Sequence, residues 1–371
     1  MGSIRAAVLE TGGELGVADV EVEEPREGEV LVAVSHCGVC HSDLSVVDGV
    51  FPPAGPVVLG HEAAGVVDAV GPGVPVLRAG DKVVLTPLPT CGRCYYCVRG
   101  NPTLCAVHGS ALFTSTRPDG TSPLSRGDQV VYRGLGVGGW AERVVVPWEG
   151  AVKVDDDVDL AEACVIGCAV QTGVGAVLNA AAVEEGATVL VLGAGGIGIA
   201  VTQGARLAGA SMIVVVDPVA ERRVAAESFG ATHTLDPTEV DVPTASHDLT
   251  GGVGMDYCFE AAGQAALIEQ GLIATRAGGT TVCVGAPPAD QGISIPAAVG
   301  FMAAEKRLVG TLLGTVNGPR DIPRLLALAR AGRLDLGGMI TDRYRLEDIG
   351  SAVDNLRDRR GLRTVVTIDH F

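Results

Sequence analysis

From residue 4 to about residue 146 the apolar positions come in short runs, some alternating with polar residues and some solid, each broken by glycine or proline: 4–9, 30–34, 63–70, 82–85 and 143–146. Runs of this length and period predict strands, so this part of the chain reads as mostly β. The proline- and glycine-rich stretch 51–60 reads as a loop. From about Ala161 the pattern changes. Helix-length segments at 197–207 and 220–229 alternate with fully apolar runs at 188–192, 212–216, 255–259 and 280–284. That alternation predicts βαβ units around a buried parallel sheet. Near the end, 322–331 and 346–356 read as helices and 364–368 as a closing strand, fitting neither half by themselves. The change of pattern places a domain boundary near Cys168.

A length of 371 residues suits two domains, each able to bury its own core. With 47% hydrophobic and 19% charged residues, and 52 glycines scattered through apolar runs, the chain is a folded one and not disordered. Acidic residues outnumber basic ones 44 to 27, a formal charge of -17 with no acidic tail. A polyanion would be repelled, and no lysine or arginine cluster offers a local patch, so nucleic acid is excluded as a partner. The start has no basic segment followed by a long apolar run, and no stretch approaches the ~20 apolar residues of a membrane span. The expectation is a cytoplasmic protein with no membrane partner. In such a compartment the ten cysteines read first as metal ligands or reactive thiols.

The apolar run 188–192 leads directly into Gly193-Ala194-Gly195-Gly196-Ile197-Gly198 and then into a helical segment. Strand, glycine turn and helix in this order form a dinucleotide-binding unit. Gly193 permits the turn, Gly195 lets backbone approach a pyrophosphate, and Gly198 lets the helix pack on the sheet. The free N–H groups of Gly196, Ile197 and their neighbours then face the phosphates. Asp217 ends the next apolar strand, 19 residues after Gly198. A carboxylate there accepts hydrogen bonds from ribose hydroxyls and repels a 2′-phosphate, which favours NAD over NADP. Arg222 is counted with this cofactor-binding set.

Cys91, Cys94, Cys97 and Cys105 are offset by three, three and eight. Four thiolates this close can close a tetrahedral zinc site, and a closed site is structural because it leaves no position for substrate. Iron–sulfur clusters and redox dithiols use such spacings too, but no second cysteine group is present to hold another cluster. Three further segments carry ligand types: Gly-Val-Cys-His-Ser-Asp at 38–43, Gly-His-Glu at 60–62 and Gly-Cys-Ala at 167–169. Each alone reads as packing or a surface polar group. Together Cys40, His61 and Cys168 supply two thiolates and an imidazole, a set that leaves a fourth zinc position open.

These motifs, with Ile-Gly-Cys-Ala-Val-Gln-Thr-Gly at 166–173 and Arg363-Thr364-Val365, occur in one order along essentially the whole chain. In that order they resemble the zinc-containing alcohol dehydrogenases of the medium-chain dehydrogenase/reductase family, the type example of this catalytic ligand set. The resemblance implies a GroES-like, mostly β catalytic domain over residues 1–169, with a structural zinc lobe at about 91–105. A doubly wound Rossmann coenzyme domain with a parallel sheet would follow over 170–312, and 313–371 would return to the catalytic domain. It implies oxidation of alcohols to aldehydes or ketones, and the reverse, by hydride transfer to NAD, with two Zn²⁺ per chain and a homodimer. Cys40, His61 and Cys168 would hold the catalytic zinc, with Glu62 as an outer or transient ligand and Asp43 orienting His61. Ser42 would receive the substrate's hydroxyl proton, while His41 and Arg363 would contact the pyrophosphate. Cys37, Cys164, Cys258 and Cys283 match no ligand position and read as buried packing residues.

The chain departs from the family's best-known members in two places. Ser45 stands where many carry a relay histidine, so the proton must leave through Ser42 and water. His41 stands where many carry arginine, and an imidazole lacks the fixed charge and forked donors of a guanidinium. Glycines in Gly134-Leu135-Gly136 either open the substrate pocket to larger alcohols or serve a turn. Two alternative activities share the fold. One is oxidation of S-hydroxymethyl thiol adducts, for which no basic residue to hold the thiol's carboxylate can be placed. The other retains NAD tightly and passes electrons to an external carrier.

Overall fold

The structure is a computed structural model that describes residues 2–295 and 297–369. It divides into two compact units, one of residues 1–168 with 317–371 and the other of residues 169–316. Among the described residues the strands form three sheets.

In the first unit, Gly2–Leu9, Leu15–Val22, Leu124–Arg126, Gln129–Arg133 and Val57–Val58 close a barrel. A second sheet runs in the order Ala151–Lys153, Lys82–Leu85, Glu62–Val70, Glu29–Val39, Arg363–Thr367 and Ile340–Arg345, with Arg143–Pro147 also paired to Glu29–Val39. Valine dominates the shared core, with Val30, Val32, Val34, Val83 and Val144 all buried, as expected where β-branched side chains pack on a pleated surface. Glu29–Val39 and Glu62–Val70 are antiparallel with Gly38 opposite Glu62. This register brings Cys40, two residues beyond Gly38, and His61, one before Glu62, to the same end of the sheet.

In the second unit six strands lie parallel in the order His233–Leu235, Met212–Val216, Thr188–Leu192, Met255–Glu260, Thr275–Cys283 and Arg307–Gly310. The order reverses between Thr188–Leu192 and Met255–Glu260, the switch point at which such sheets bind dinucleotides. Helix Gly196–Ala208 follows the first of these strands and buries Ile199, Ala200, Val201 and Ala205.

The sequence pattern misses Leu15–Val22, which is half exposed along its length. It also misses helix Ala265–Ala274, apolar enough to lack a clear polar face. Among the described residues no single helix is long and apolar enough to cross a membrane.

Candidate functional site

Two clusters of ligand atoms form in the first unit. The sulfurs of Cys91, Cys94, Cys97 and Cys105 lie within 4.8 Å of one another. Backbone N–H groups already point at them, from Cys91 to Cys105 Sγ at 3.5 Å and from Ala106 to Cys94 Sγ at 3.4 Å. The N–H groups of Cys97 and Ala106 bring the Cys94 thiol down to about 6, while burial and the neighbouring Cys94 push Cys97 up to about 12. Such N–H···S bonds stabilise thiolates, which is what a metal requires.

The second cluster joins Cys40, His61, Glu62 and Cys168, all buried, again with ligand atoms within 4.8 Å of one another. Zinc bound at ~2.3 Å has ligands about 3.8 Å apart, so the cluster closes on the ion with small adjustment. The backbone permits this approach at three glycines. A Cβ on Gly38 would lie 2.2 Å from Glu62 Oε2, and one on Gly60, at φ +86°, would strike Trp140. A Cβ on Gly167 would lie 2.6 Å from the Leu85 carbonyl oxygen, so Cys168 could not come up against the strand carrying Glu62.

Asp43 organises the cluster. Its Oδ1 lies 3.1 Å from His61 Nδ1 and accepts the Gly60 N–H at 2.9 Å, while Oδ2 accepts the Cys40 N–H at 3.0 Å. Burial disfavours a charged imidazole, yet Asp43 and Cys40 hold His61 well above the usual histidine range. Cys40 and Cys168 share a hydrogen bond that lowers the first thiol well below its ordinary value and raises the second. Burial lifts Glu62 to about 8 against the opposing pull of Arg363.

Arg363, on strand Arg363–Thr367, is buried with its guanidinium on this cluster. Nη2 donates to Glu62 Oε1 at 2.8 Å and Nη1 to the Val39 carbonyl at 3.1 Å. Burial works against its charge, but Glu62, Cys40 and Cys168 hold it protonated. Sequence reasoning tied this residue to the pyrophosphate and did not foresee the bond to Glu62. Ser42, in helix His41–Val47, sits with Oγ 4.0 Å from Cys40 Sγ, and His41 beside it is exposed. Ser45 donates to the His41 carbonyl at 3.0 Å, an ordinary back-bond within the helix.

The glycines of 134–136 open no volume. A Cβ on Gly134 would lie 2.7 Å from Leu59 Cδ2, and Gly136 has φ +77° with the Pro87 carbonyl 2.9 Å from its Cβ position. The turn reading therefore holds over the open-pocket one. Of the four unassigned cysteines, Cys37, Cys164 and Cys258 are buried, whereas Cys283 is only partly so.

In the second unit, Gly193 adopts φ +102°, and a Cβ on Gly198 would lie 1.8 Å from the Gly193 carbonyl oxygen. At Gly195 a Cβ would meet only Arg222 Nη1, at 3.8 Å, which leaves the backbone open to a ligand. No side chain caps helix Gly196–Ala208, as suits a helix N-terminus whose first N–H groups are to bind an anion. Asp217 accepts the Ala194 N–H at 2.8 Å and the Val219 N–H at 2.9 Å. It thus braces the turn as well as standing at the end of the second strand.

Comparison with known proteins agrees with this geometry. Residues 26–156 match the alcohol dehydrogenase GroES-like domain and residues 196–331 the zinc-binding dehydrogenase domain. The chain is 37% identical over 370 residues to an NDMA-dependent alcohol dehydrogenase of Amycolatopsis methanolica, covering 98% of each. It is 35% identical to an S-(hydroxymethyl)glutathione dehydrogenase of Synechocystis, covering 99% of this chain and 100% of the relative. A crystal structure of benzyl alcohol dehydrogenase from Acinetobacter calcoaceticus superposes with a TM-score of 0.94 at 29% identity, over 100% of both chains. With two clusters of metal-ligating side chains, a dinucleotide turn and similarity along its whole length, the chain belongs to the zinc-containing alcohol dehydrogenases of the medium-chain dehydrogenase/reductase family.

Proposed function

We propose that the chain oxidises small alcohols to aldehydes or ketones, and catalyses the reverse, by hydride transfer to NAD at a zinc site built from Cys40, His61 and Cys168. The observation that carries this reading is the buried convergence of two sulfurs, one imidazole and one carboxylate in the same chain as a separate four-cysteine cluster. Zinc held by Cys40, His61 and Cys168 would supply Lewis acidity that lowers the pKa of an alcohol hydroxyl, and NAD would supply the hydride acceptor.

The chain's own groups do the rest. Asp43 takes the Nδ1–H of His61 and so leaves Nε2 for the metal. Arg363 neutralises Glu62 and holds the carboxylate beside the sulfurs, from where it can act as an outer or transient ligand. Ser42 Oγ, beside Cys40, takes the substrate proton. Ser45 is no relay base, because its hydroxyl is bonded to the His41 carbonyl, so the proton passes from Ser42 to water. Gly193, Gly195, Gly196, Ile197, Gly198 and Arg222 hold the coenzyme phosphates. Asp217 takes the adenosine ribose. Cys91, Cys94, Cys97 and Cys105 hold the second zinc.

A homodimer fits the edge strand Arg307–Gly310, which among the described residues pairs only with Thr275–Cys283. Shortly before it in sequence come the exposed apolar residues Ile293, Ile295, Val299 and Met302. A cytoplasmic location fits cysteines gathered into metal clusters or left as thiols.

The test is reduction of NAD and of NADP across a panel of primary, secondary and aromatic alcohols. Turnover with NAD in preference to NADP supports the proposal. No turnover of any alcohol in the zinc-replete protein overturns it.

A further inference from the structure

Trp140 is fully buried, lies in no strand or helix, and takes no part in the chemistry described above. Its contacts nonetheless converge on the metal cluster. The indole Nε1–H points at the Gly38 carbonyl at 3.5 Å, two residues before Cys40. The indole edge fills the space over Gly60, one residue before His61, where a Cβ would lie 2.4 Å from Cδ1 and 2.7 Å from Nε1. The surrounding backbone is tied to the same segment: Trp140 N–H donates to Leu59 O at 2.9 Å and Gly139 N–H to Gly60 O at 2.6 Å. On the far side, Trp140 O accepts the Ala7 N–H at 2.8 Å from the barrel strand Gly2–Leu9.

We infer that Trp140 is a positioning residue for the catalytic metal: its indole is a rigid wedge that fixes the separation of the two backbone segments bearing Cys40 and His61. The inference rests on the assignment of that cluster as the metal site. Asp43 joins the same segments from one direction, through the Cys40 and Gly60 N–H groups. The strand pairing of Gly38 with Glu62 ends just short of Cys40 and His61, and beyond it the carboxylate alone does not set how far apart these two stretches stand. The indole adds a fixed thickness between the Gly38 carbonyl and Gly60, beside the Cys37 sulfur that also lies over Gly60 and the strand pairing of Gly38 with Glu62. An aromatic ring suits this task because it has few rotatable bonds and a large flat contact area. Groups that orient metal ligands from outside typically change metal affinity by about 10–100-fold when altered.

The test uses the full-length zinc protein and two variants, Trp140→Phe and Trp140→Leu. Metal release from the two clusters is followed with a chelator, and the ligand field is read from the visible spectrum after cobalt exchange at the catalytic site. Trp140→Leu should release the catalytic metal about tenfold faster or more, with a shifted cobalt spectrum and unchanged release from the four-cysteine cluster. Trp140→Phe, which keeps a flat wedge, should restore most of the wild-type behaviour. A Trp140→Leu protein that melts earlier yet keeps the wild-type spectrum and release rate would show packing alone and overturn the inference.

If Trp140→Leu does not fold, Trp148→Phe leaves Trp140 as the sole tryptophan. Its emission should then change when the catalytic metal is withdrawn, and constant emission overturns the inference. A wild-type chain that binds only one metal would instead refute the site itself, a result separate from the role of Trp140.

Discussion

Cys40, His61 and Cys168 lie far apart in sequence, and what lets them meet is the absence of side chains at Gly38, Gly60 and Gly167. The ligands could be read from residue type and order along the chain, but these glycines could not, since nothing in a sequence rich in glycine marks which ones face a carboxylate or an indole. Arg363 shows the same limit: its place on Glu62 depends on strand Arg363–Thr367 pairing with Glu29–Val39, a contact between distant parts of the chain. At this scale the account predicts that Asp43→Asn lowers affinity for the catalytic metal about 10–100-fold while sparing the four-cysteine site, measured by competition with a chelator. Asp217→Ser should raise the efficiency with NADP relative to NAD by about tenfold or more, because it removes the charge facing a 2′-phosphate. An unchanged coenzyme ratio would remove Asp217 from that role.

Among the elements, strands buried on both faces were legible: Thr188–Leu192 and Met212–Val216 coincide with solid apolar runs. The short barrel strands Val57–Val58 and Leu124–Arg126 were not, because two or three residues carry no period. The glycine turn was legible because strand, turn and helix occur in fixed order. Gly198→Ala would drive a Cβ into the Gly193 carbonyl and should destabilise the second unit by about 1–3 kcal/mol, with NAD binding weakened by calorimetry. At the opposite end of this sheet, Asp256 binds the Thr188 N–H at 2.8 Å and Arg276 Nε at 2.6 Å. Burial opposes its charge, but these partners hold its carboxyl below the ordinary 3.8. A depressed carboxyl stabilises the fold above its unfolded value, and that contribution is lost as pH falls through the lower folded value. Asp256→Asn should therefore be less stable than wild type at neutral pH, by about 1–2 kcal/mol after allowance for partial exposure. The gap should close only as pH falls below the ordinary carboxylate range, through the depressed folded value, which thermal melts across pH would show.

For the molecule as a whole, the order of motifs made the two-part architecture legible, and the family match covers both parts. The coupling of the two metal clusters to distinct tasks follows from their surroundings. One is four sulfurs on a partly exposed lobe, and the other is a buried mixed set held by Asp43 and Arg363. In the proposed reading the first would close a loop with little core of its own, and the second, with Glu62 bonded to Arg363, would leave a position for substrate. Loss of the catalytic metal should therefore abolish hydride transfer while leaving the fold largely intact, whereas loss of the lobe metal should chiefly lower stability.

The central claim is tested most directly by zinc content per chain, followed together with NAD-linked alcohol oxidation as a chelator is titrated in. The account predicts about two zinc ions per chain and activity that falls in step with loss of the ion held by Cys40, His61 and Cys168, restored when zinc is returned. Full activity in a protein whose only zinc is in the four-cysteine lobe would contradict it.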